Sequence, residues 1–142
     1  MIKNIDNTTR EEREEVLDKF GKKVVEFRDR SLEVSMEWAT GESINPVAKR
    51  KYGGLAELTK DQRELVNNLI SETMTSTIFN FLNLFDDYSD KAEPNDWFKL
   101  TVKHKGEEYD LSKISWKMGS EIACEDEDGW IQKFSKVGRF VL

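Results

Sequence analysis

Apolar residues recur at steps of three and four through much of residues 1–90, which is the spacing of one face of an α-helix. In the first such stretch the apolar positions are Val16, Phe20, Val24, Phe27, Val34 and Trp38, flanked by Leu17, Val25, Leu32 and Met36. Thr9 and Glu12 have the spacing of a capping box, and Gly41 suits the position just beyond a helix end. The pattern predicts one long helix from about 10 to 40. Gly21 is its weakest position, since glycine in a helix costs up to about 1 kcal/mol relative to alanine.

A second helical stripe follows Thr59, which with Gln62 forms another capping-box pattern. Its apolar positions are Leu65, Val66, Leu69, Ile70, Met74, Ile78, Phe81, Leu82 and Phe85. From 78 to 85 they nearly surround the helix, so we expect this stretch, Phe81 included, to be buried on most sides. Between the two long helices, Pro46 suits the first position of a short helix that ends at Gly53-Gly54.

Residues 86–96 form an acidic, proline-containing segment that is predicted to be a loop. After it, apolar residues recur at every second position, which is the spacing of one face of a β-strand. Residues 97–104 alternate, Lys105-Gly106 suits a two-residue turn, and residues 107–111 return as a second strand. This register pairs Val102 with Tyr109. Because a lone hairpin is marginally stable, it must pack on the helices or gain another strand.

The C-terminal region has weaker patterns. Residues 130–137 carry a short helical spacing, and residues 112–124 fit strand, helix or loop equally well. Together the patterns predict an α+β fold with two long packed helices, a β-hairpin and short C-terminal helices. We expect a single domain over 1–142, with a helical part at 9–90 and a hairpin and C-terminal part at 97–142.

The composition is that of a globular, cytoplasmic chain. Of the 142 residues, 37% are hydrophobic and 11% aromatic, enough to form a core. No apolar run approaches the roughly 20 residues of a membrane span, and the N-terminus lacks the apolar stretch of a secretory signal. Cys124 is the single cysteine and cannot form an internal disulfide, which fits a cytoplasmic location. We therefore expect no membrane association.

The charge balance favours some partners over others. The chain has 22 basic and 28 acidic side chains, a net charge of −6. That balance disfavours a broad nucleic-acid surface, because such surfaces neutralise phosphates with lysine and arginine. Direct nucleic-acid binding is not expected.

Metal-ligand patterns are incomplete. In CEDEDG, residues 124–129, Asp126, Asp128 and Gly129 match three positions of an EF-hand loop, but Cys124 and Ser135 stand where the first and last calcium ligands belong. One histidine and one cysteine are too few for a usual zinc site. We assign no metal and interpret the segment as a solvated acidic turn before a helix or as a protein-binding patch.

No catalytic set or cofactor motif emerges. The one imidazole, His104, is placed at the hairpin end and predicted to be exposed, and the acids beside Cys124 disfavour a thiolate. Neither a Walker phosphate loop nor a G-x-G-x-x-G motif occurs. We therefore assign no catalytic residue and no cofactor.

Four polar residues form a ridge on the second long helix, at steps of four, four and three: Glu72, Ser76, Asn80 and Asn83. The favoured interpretation is that they hydrogen-bond each other, a neighbouring helix or the backbone. The alternative is a polar groove that receives a ligand, in which a carboxylate such as Glu72 supports a small hydrolase or ligand-binding protein.

The acidic segments 86–96 and 121–128 are the predicted contact surfaces for a protein partner, with two tryptophans beside them as interface anchors. The predicted partner-binding residues are Asp86, Asp87, Asp90, Trp97, Glu121, Glu125, Asp126, Glu127, Asp128 and Trp130.

Two segments carry a resemblance. The sequence ISETMTSTIFNFLNLF at 70–85, and EDGWIQKFSK at 127–136 after a hairpin, together resemble small uncharacterised bacterial proteins, a class that includes many toxin immunity proteins. The resemblance covers about half the chain and implies a bacterial or phage source and a binding role, of which toxin neutralisation is the sharpest version. Charge complementarity favours a basic toxin domain as the partner of an acidic inhibitor. A third hypothesis is a homo-oligomeric adaptor or structural protein, because the apolar residues around 78–85 suit a self-interface as well as a core.

Overall fold

Two 30-residue helices form the framework: α1, Arg10–Ala39, and α3, Lys60–Ser89. The computed structural model describes residues 1–89, 98–115 and 117–138, with only the backbone at 87–89. Arg28 of α1 bonds Ser71 and Thr75 of α3, whereas Trp38, ten residues further along α1, shares a groove with Val66, which is earlier in α3. The two helices therefore run antiparallel.

The predicted helix ends are confirmed. The hydroxyl of Thr9 accepts the backbone N–H of Glu12, whose carboxylate accepts the N–H of Thr9, and Gly41 follows with a φ of +72°. Helix α2, Pro46–Tyr52, begins at the proline as expected. Thr59 and Gln62 make the same reciprocal bonds at the start of α3. A 3₁₀ turn over Gly53–Glu57 connects α2 towards α3.

The hairpin has the predicted register and gains a third strand. Strands β2, Thr101–His104, and β3, Glu107–Asp110, pair antiparallel with Val102 opposite Tyr109. Positive φ angles at Lys105 and Gly106 form the two-residue turn. Strand β1, Ile2–Lys3, which the alternation did not reveal, pairs parallel to β3 and gives the order β1-β3-β2.

Short helices complete an α+β fold, as the sequence predicted. The unassigned segment forms α4, Leu111–Ile114, and α5, Met118–Ala123, and the C-terminal spacing forms α6, Trp130–Phe134. The prediction of a loop beginning at residue 86 is wrong, because α3 continues to Ser89. None of the helices in the described part of the chain is long and apolar enough to cross a bilayer.

The buried face of α1 is rotated from the predicted stripe. It centres on Leu17, Gly21, Val25 and Leu32, because α6 packs on the Gly21 side of the helix. Phe27, at the centre of the predicted stripe, is 65% exposed.

The expectation that residues 78–85 are buried on most sides is also wrong. Leu82 and Phe85 are in the core, whereas Phe81 is 57% exposed and Leu84 is exposed beside it. Helices α1 and α5 cover only part of the circumference of α3, so the apolar residues on its open side remain in solvent.

Candidate functional site

The loop between α5 and α6 presents four consecutive acidic side chains to solvent. Glu125, Asp126, Glu127 and Asp128, together the acidic loop, are all exposed. The loop follows directly from α5 and leads directly into α6, so it is short and its two ends are fixed by those helices. Four carboxylates on a short loop give a concentrated negative potential at the surface.

The ends of the acidic loop are anchored in the core. Ile122 before it and Trp130 after it are both 0% exposed. The backbone N–H of Gly129 donates to the carbonyl of Asp126 at 2.9 Å, and Gly129 lies so close to the Cys124 carbonyl that no side chain fits at position 129. Both ends of the acidic loop are therefore held by the fold.

Trp130 is a core residue, and the prediction that it is an exposed interface anchor is wrong. Its ring lies edge-on to Phe20, with centroids 5.9 Å apart, and its indole covers Gly21 of α1. Because glycine has no side chain, so large a ring can approach α1 closely at position 21. Its burial is also what holds the C-terminal end of the acidic loop.

Asp86 is likewise buried, so the prediction that it contacts a partner is wrong. Its two carboxylate oxygens accept the backbone N–H groups of Met118, at 2.7 Å, and Gly119, at 3.0 Å. These are N–H groups of the first turn of α5, which have no partner within the helix. Asp86 thus joins α3 to α5.

Glu121 occupies an intermediate position. Its side chain is partly buried in α5 and accepts a hydrogen bond from the Ser115 hydroxyl at 3.1 Å. Burial raises the pKa of this carboxyl above its usual value. Three further predicted contacts lie outside what the structure describes: Asp90, Trp97 and the side chain of Asp87.

The polar ridge lies largely on the surface. Glu72, Ser76 and Asn80 are exposed, whereas Asn83 is half-buried with its side-chain oxygen against Gly119 of α5. Asn83 therefore fits the structural interpretation. The grooves described below have linings that do not include Glu72, so they give no support to a hydrolase centred on that residue.

An apolar groove follows the open side of α3. One part, about 300 Å³, joins Trp38 of α1 and Tyr52 of α2 to Ile70. A second part, about 500 Å³, continues from Ile70 past Met74 to Ile78. Ile70 lines both grooves, so they adjoin at that residue, and the second is lined by α3 residues alone.

A buried arginine network links the helices to the C-terminal segment. Arg28, 1% exposed, bonds Asp29, Ser71 and Thr75 and also donates to the carbonyl of Gly138 at 2.9 Å. The carboxylate of Asp29 accepts the Ser135 hydroxyl and the Lys136 N–H. The sequence contained a signal for this network, because Arg28 lies three residues after Val25 and four before Leu32, on the buried face.

His104 is buried, at 7% exposure, and the prediction of an exposed turn histidine is wrong. Its Nδ1 lies 3.4 Å from the Lys19 ammonium, and its Nε2 lies 3.2 Å from a Glu15 oxygen at angles that do not make a hydrogen bond. Lys105 first, and then His104, lowers the pKa of Glu15. A groove of about 160 Å³ lies alongside His104.

Within the described residues, no three acidic, histidine or cysteine side chains lie close enough together to hold a metal ion.

Comparison of the chain with known protein families, with curated proteins and with solved structures finds no match.

Proposed function

We propose that this chain is a protein-binding domain that presents the acidic loop to a basic protein, and that its partner is a bacterial toxin domain. The observation that carries the proposal is the acidic loop itself: four exposed carboxylates in succession, held at both ends by buried residues. A protein surface gains specificity when such a group of charges meets its opposite on the partner.

The electrostatics favour a basic partner. The net charge of −6 attracts a cationic protein from a distance, and the acidic loop concentrates that attraction at one point. Fixed loop ends reduce the conformational freedom that is lost on association, and this preorganisation favours affinity. Toxins that act on nucleic acids need cationic sites for phosphates, so they offer the complementary charge. The resemblance of residues 70–85 and 127–136 to immunity-type bacterial proteins supports the same kind of partner.

The proposal is tested by capture from the source cell with matched baits. One bait is the wild-type chain, and a second carries Glu125→Gln, Asp126→Asn and Glu127→Gln. A third carries Glu33→Gln, Glu42→Gln and Glu57→Gln, which removes the same charge from exposed positions elsewhere. We expect a basic protein that the first and third baits retain and the second loses.

Two outcomes contradict the proposal. One is a specific partner retained equally by all three baits, which would place the contact away from the acidic loop. The other is equal loss from both charge-neutralised baits, which would mean that net charge, and not the acidic loop, causes the retention.

A further inference from the structure

The small groove beside His104 has a basic lining. Helix α1 contributes Lys19 and Lys23 to it, and the outer strand β2 contributes Lys103 and His104. Among the residues that the structure describes, the ionisable side chains that line this groove are all basic, and we call it the basic groove. The chain as a whole has 28 acidic and 22 basic side chains, so the basic groove is opposite in charge to the molecule around it.

The imidazole of His104 holds the ammonium of Lys19 in place. The two nitrogens, Nδ1 and Nζ, are 3.4 Å apart. Because an ammonium has only donors, Nδ1 accepts this hydrogen bond and the ring proton is on Nε2. The imidazole is itself held by the fold, since it is 7% exposed and lies edge-on to the ring of Tyr109, with centroids 6.3 Å apart. A buried side chain therefore fixes one ammonium at the basic groove.

The ammonium of Lys19 has no carboxylate beside it in the described part of the chain. Glu15 is one turn earlier on α1, where a carboxylate commonly pairs with a lysine. Its Oε1 lies instead 2.9 Å from the Lys105 ammonium and 3.2 Å from Nε2 of His104. The ion pairs of the described residues do not include Lys19. Of its three N–H donors one serves Nδ1, so two remain for an anion.

Two further ammonium groups flank the basic groove. Lys23 pairs with Glu26 at 3.2 Å, but the two side chains are 71% and 43% exposed, and exposed pairs of this kind contribute little stability. Lys103 is opposite Glu108 in the β-ladder, and it too is absent from the ion pairs of the described residues. Cations clustered at a groove with apolar walls raise the local concentration of anions.

The rest of the lining is apolar and the space is small. Val16, which is 1% exposed, lines it together with Phe20 and Val102. The volume of about 160 Å³ is that of about five water-sized groups, at about 30 Å³ each. It fits a carboxylate on an aliphatic chain of about two or three carbons. Ligand sites commonly combine an apolar lining with a few polar groups that orient the ligand, as this groove does.

We propose that the basic groove binds a short-chain carboxylate. The carboxylate accepts the two remaining N–H groups of Lys19, with Lys23 and Lys103 adding positive charge, and the aliphatic chain contacts Val16 and Val102. A free short-chain acid has this chemistry, and so does the side chain of a glutamate on another protein. The site shares no residue with the acidic loop and does not depend on the role of that loop.

The test is nuclear magnetic resonance of the full chain, in which His104 is the single histidine and gives one imidazole signal. The probes are butanoate, its uncharged analogue butanamide, and N-acetylglutamate N-methylamide, each added at constant ionic strength. We expect butanoate to shift the imidazole signal and the Val102 amide signal saturably, and butanamide to shift neither. Tighter binding of the blocked glutamate than of butanoate identifies a protein side chain as the source, and weaker binding identifies a free acid.

The matched variants are Lys19→Gln and Lys22→Gln. Both remove one positive charge from an exposed position of α1, but Lys22 is outside the lining of the basic groove. Lys19→Gln should raise the dissociation constant of butanoate about tenfold, the effect of losing a charge-assisted hydrogen bond, whereas Lys22→Gln should leave it unchanged. Circular dichroism should be that of the wild type for both.

Three results overturn the proposal. One is the absence of a saturable shift with butanoate in the wild-type chain. Another is an equal response to butanamide, which would mean that the charge of the ligand is not recognised. The third is equal weakening by Lys19→Gln and Lys22→Gln, which would mean that net charge, and not the basic groove, attracts the anion.

Discussion

A single glycine decides how closely the C-terminal helix approaches α1. Gly21 lies under the indole of Trp130, and a Cβ at position 21 would lie well inside the van der Waals contact distance of three indole atoms. Sequence alone makes this glycine a weak point in a helix, because alanine has the better helix propensity. The structure reverses that interpretation, since the space for an added methyl group is already filled.

We therefore predict that Gly21→Ala destabilises the fold. Helix propensity would gain up to about 1 kcal/mol, but overpacking against a buried ring costs typically 1–3 kcal/mol or more. The free energy of unfolding from urea titration should fall, and the near-ultraviolet signal of the tryptophans should change. Gly54→Ala is the control, because nothing lies within 4 Å of a Cβ there. A Gly21→Ala variant more stable than the wild type would show that the ring of Trp130 is not where we place it.

The carboxyl of Glu12 illustrates how one residue connects a strand to a helix. Lys3 of β1 bonds it at 2.8 Å, and the Tyr109 hydroxyl of β3 donates to it as well. These bonds, that of Lys3 first, lower the pKa of Glu12 from 4.5 to about 2. Ionised Glu12 thus holds the short strand β1 against both the sheet and α1.

The lowered pKa of Glu12 predicts that the free energy of unfolding decreases at acid pH. The contribution of Glu12 should be fully present above pH 4.5 and should be lost as the pH falls towards about 2, because the unfolded chain takes up the proton first. The difference in unfolding free energy between wild type and Glu12→Gln should therefore shrink over that range. The difference in unfolding free energy between wild type and Lys3→Met should shrink over the same pH range. A difference that is independent of pH from neutrality to pH 2 would contradict this assignment.

At the scale of elements, short helices depend on contacts made by residues distant in sequence. Helix α5 is six residues long and has no side-chain cap from its own N-cap residue, Lys117. Asp86, more than thirty residues earlier in the chain, supplies the missing acceptors. This replaces a local cap with a tertiary one, so the two helices hold each other in place.

Asp86→Ala should accordingly destabilise the fold by about 1–3 kcal/mol, the cost of losing a cap and leaving buried N–H groups without acceptors. Thermal or urea unfolding measures the loss. Asp126→Ala, at an exposed position in the acidic loop, should change stability by less than about 0.5 kcal/mol. Equal effects of the two substitutions would show that Asp86 does not cap α5.

The elements that follow from local chemistry were predictable. Capping boxes at Thr9 and Thr59, and the Lys105-Gly106 turn, need only neighbouring residues, and the structure has all three. Strand β1 is two residues long and has no period of its own, so only pairing with β3 defines it. Which side of each long helix is buried depends on where Trp130 and α5 dock, and periodicity does not contain that information.

The residues of the candidate site also include some that the sequence could predict and some that it could not. The exposure of Glu125–Asp128 could be anticipated, because a run of charges costs too much to bury. Asp86 begins one acidic segment and Trp130 follows the other, yet both are buried, because tertiary contacts use them as a cap and a core residue. Composition therefore identified the acidic segments but not which of their residues face solvent.

At the scale of the whole molecule, two surfaces of opposite chemistry lie on different elements. Exposed apolar residues such as Phe27, Leu69 and Phe81 are on the long helices, whereas the acidic loop joins two short helices and is held by the core.

The central claim, that the acidic loop docks a basic protein, is tested most directly by association kinetics with the captured partner over a range of salt concentrations. Exposed charges act mainly on the association rate and are screened by salt. The triple variant Glu125→Gln, Asp126→Asn, Glu127→Gln should associate more slowly than the wild type at low salt, with a flatter dependence on salt and an unchanged melting temperature. An association rate and salt slope identical to those of the wild type would contradict the claim.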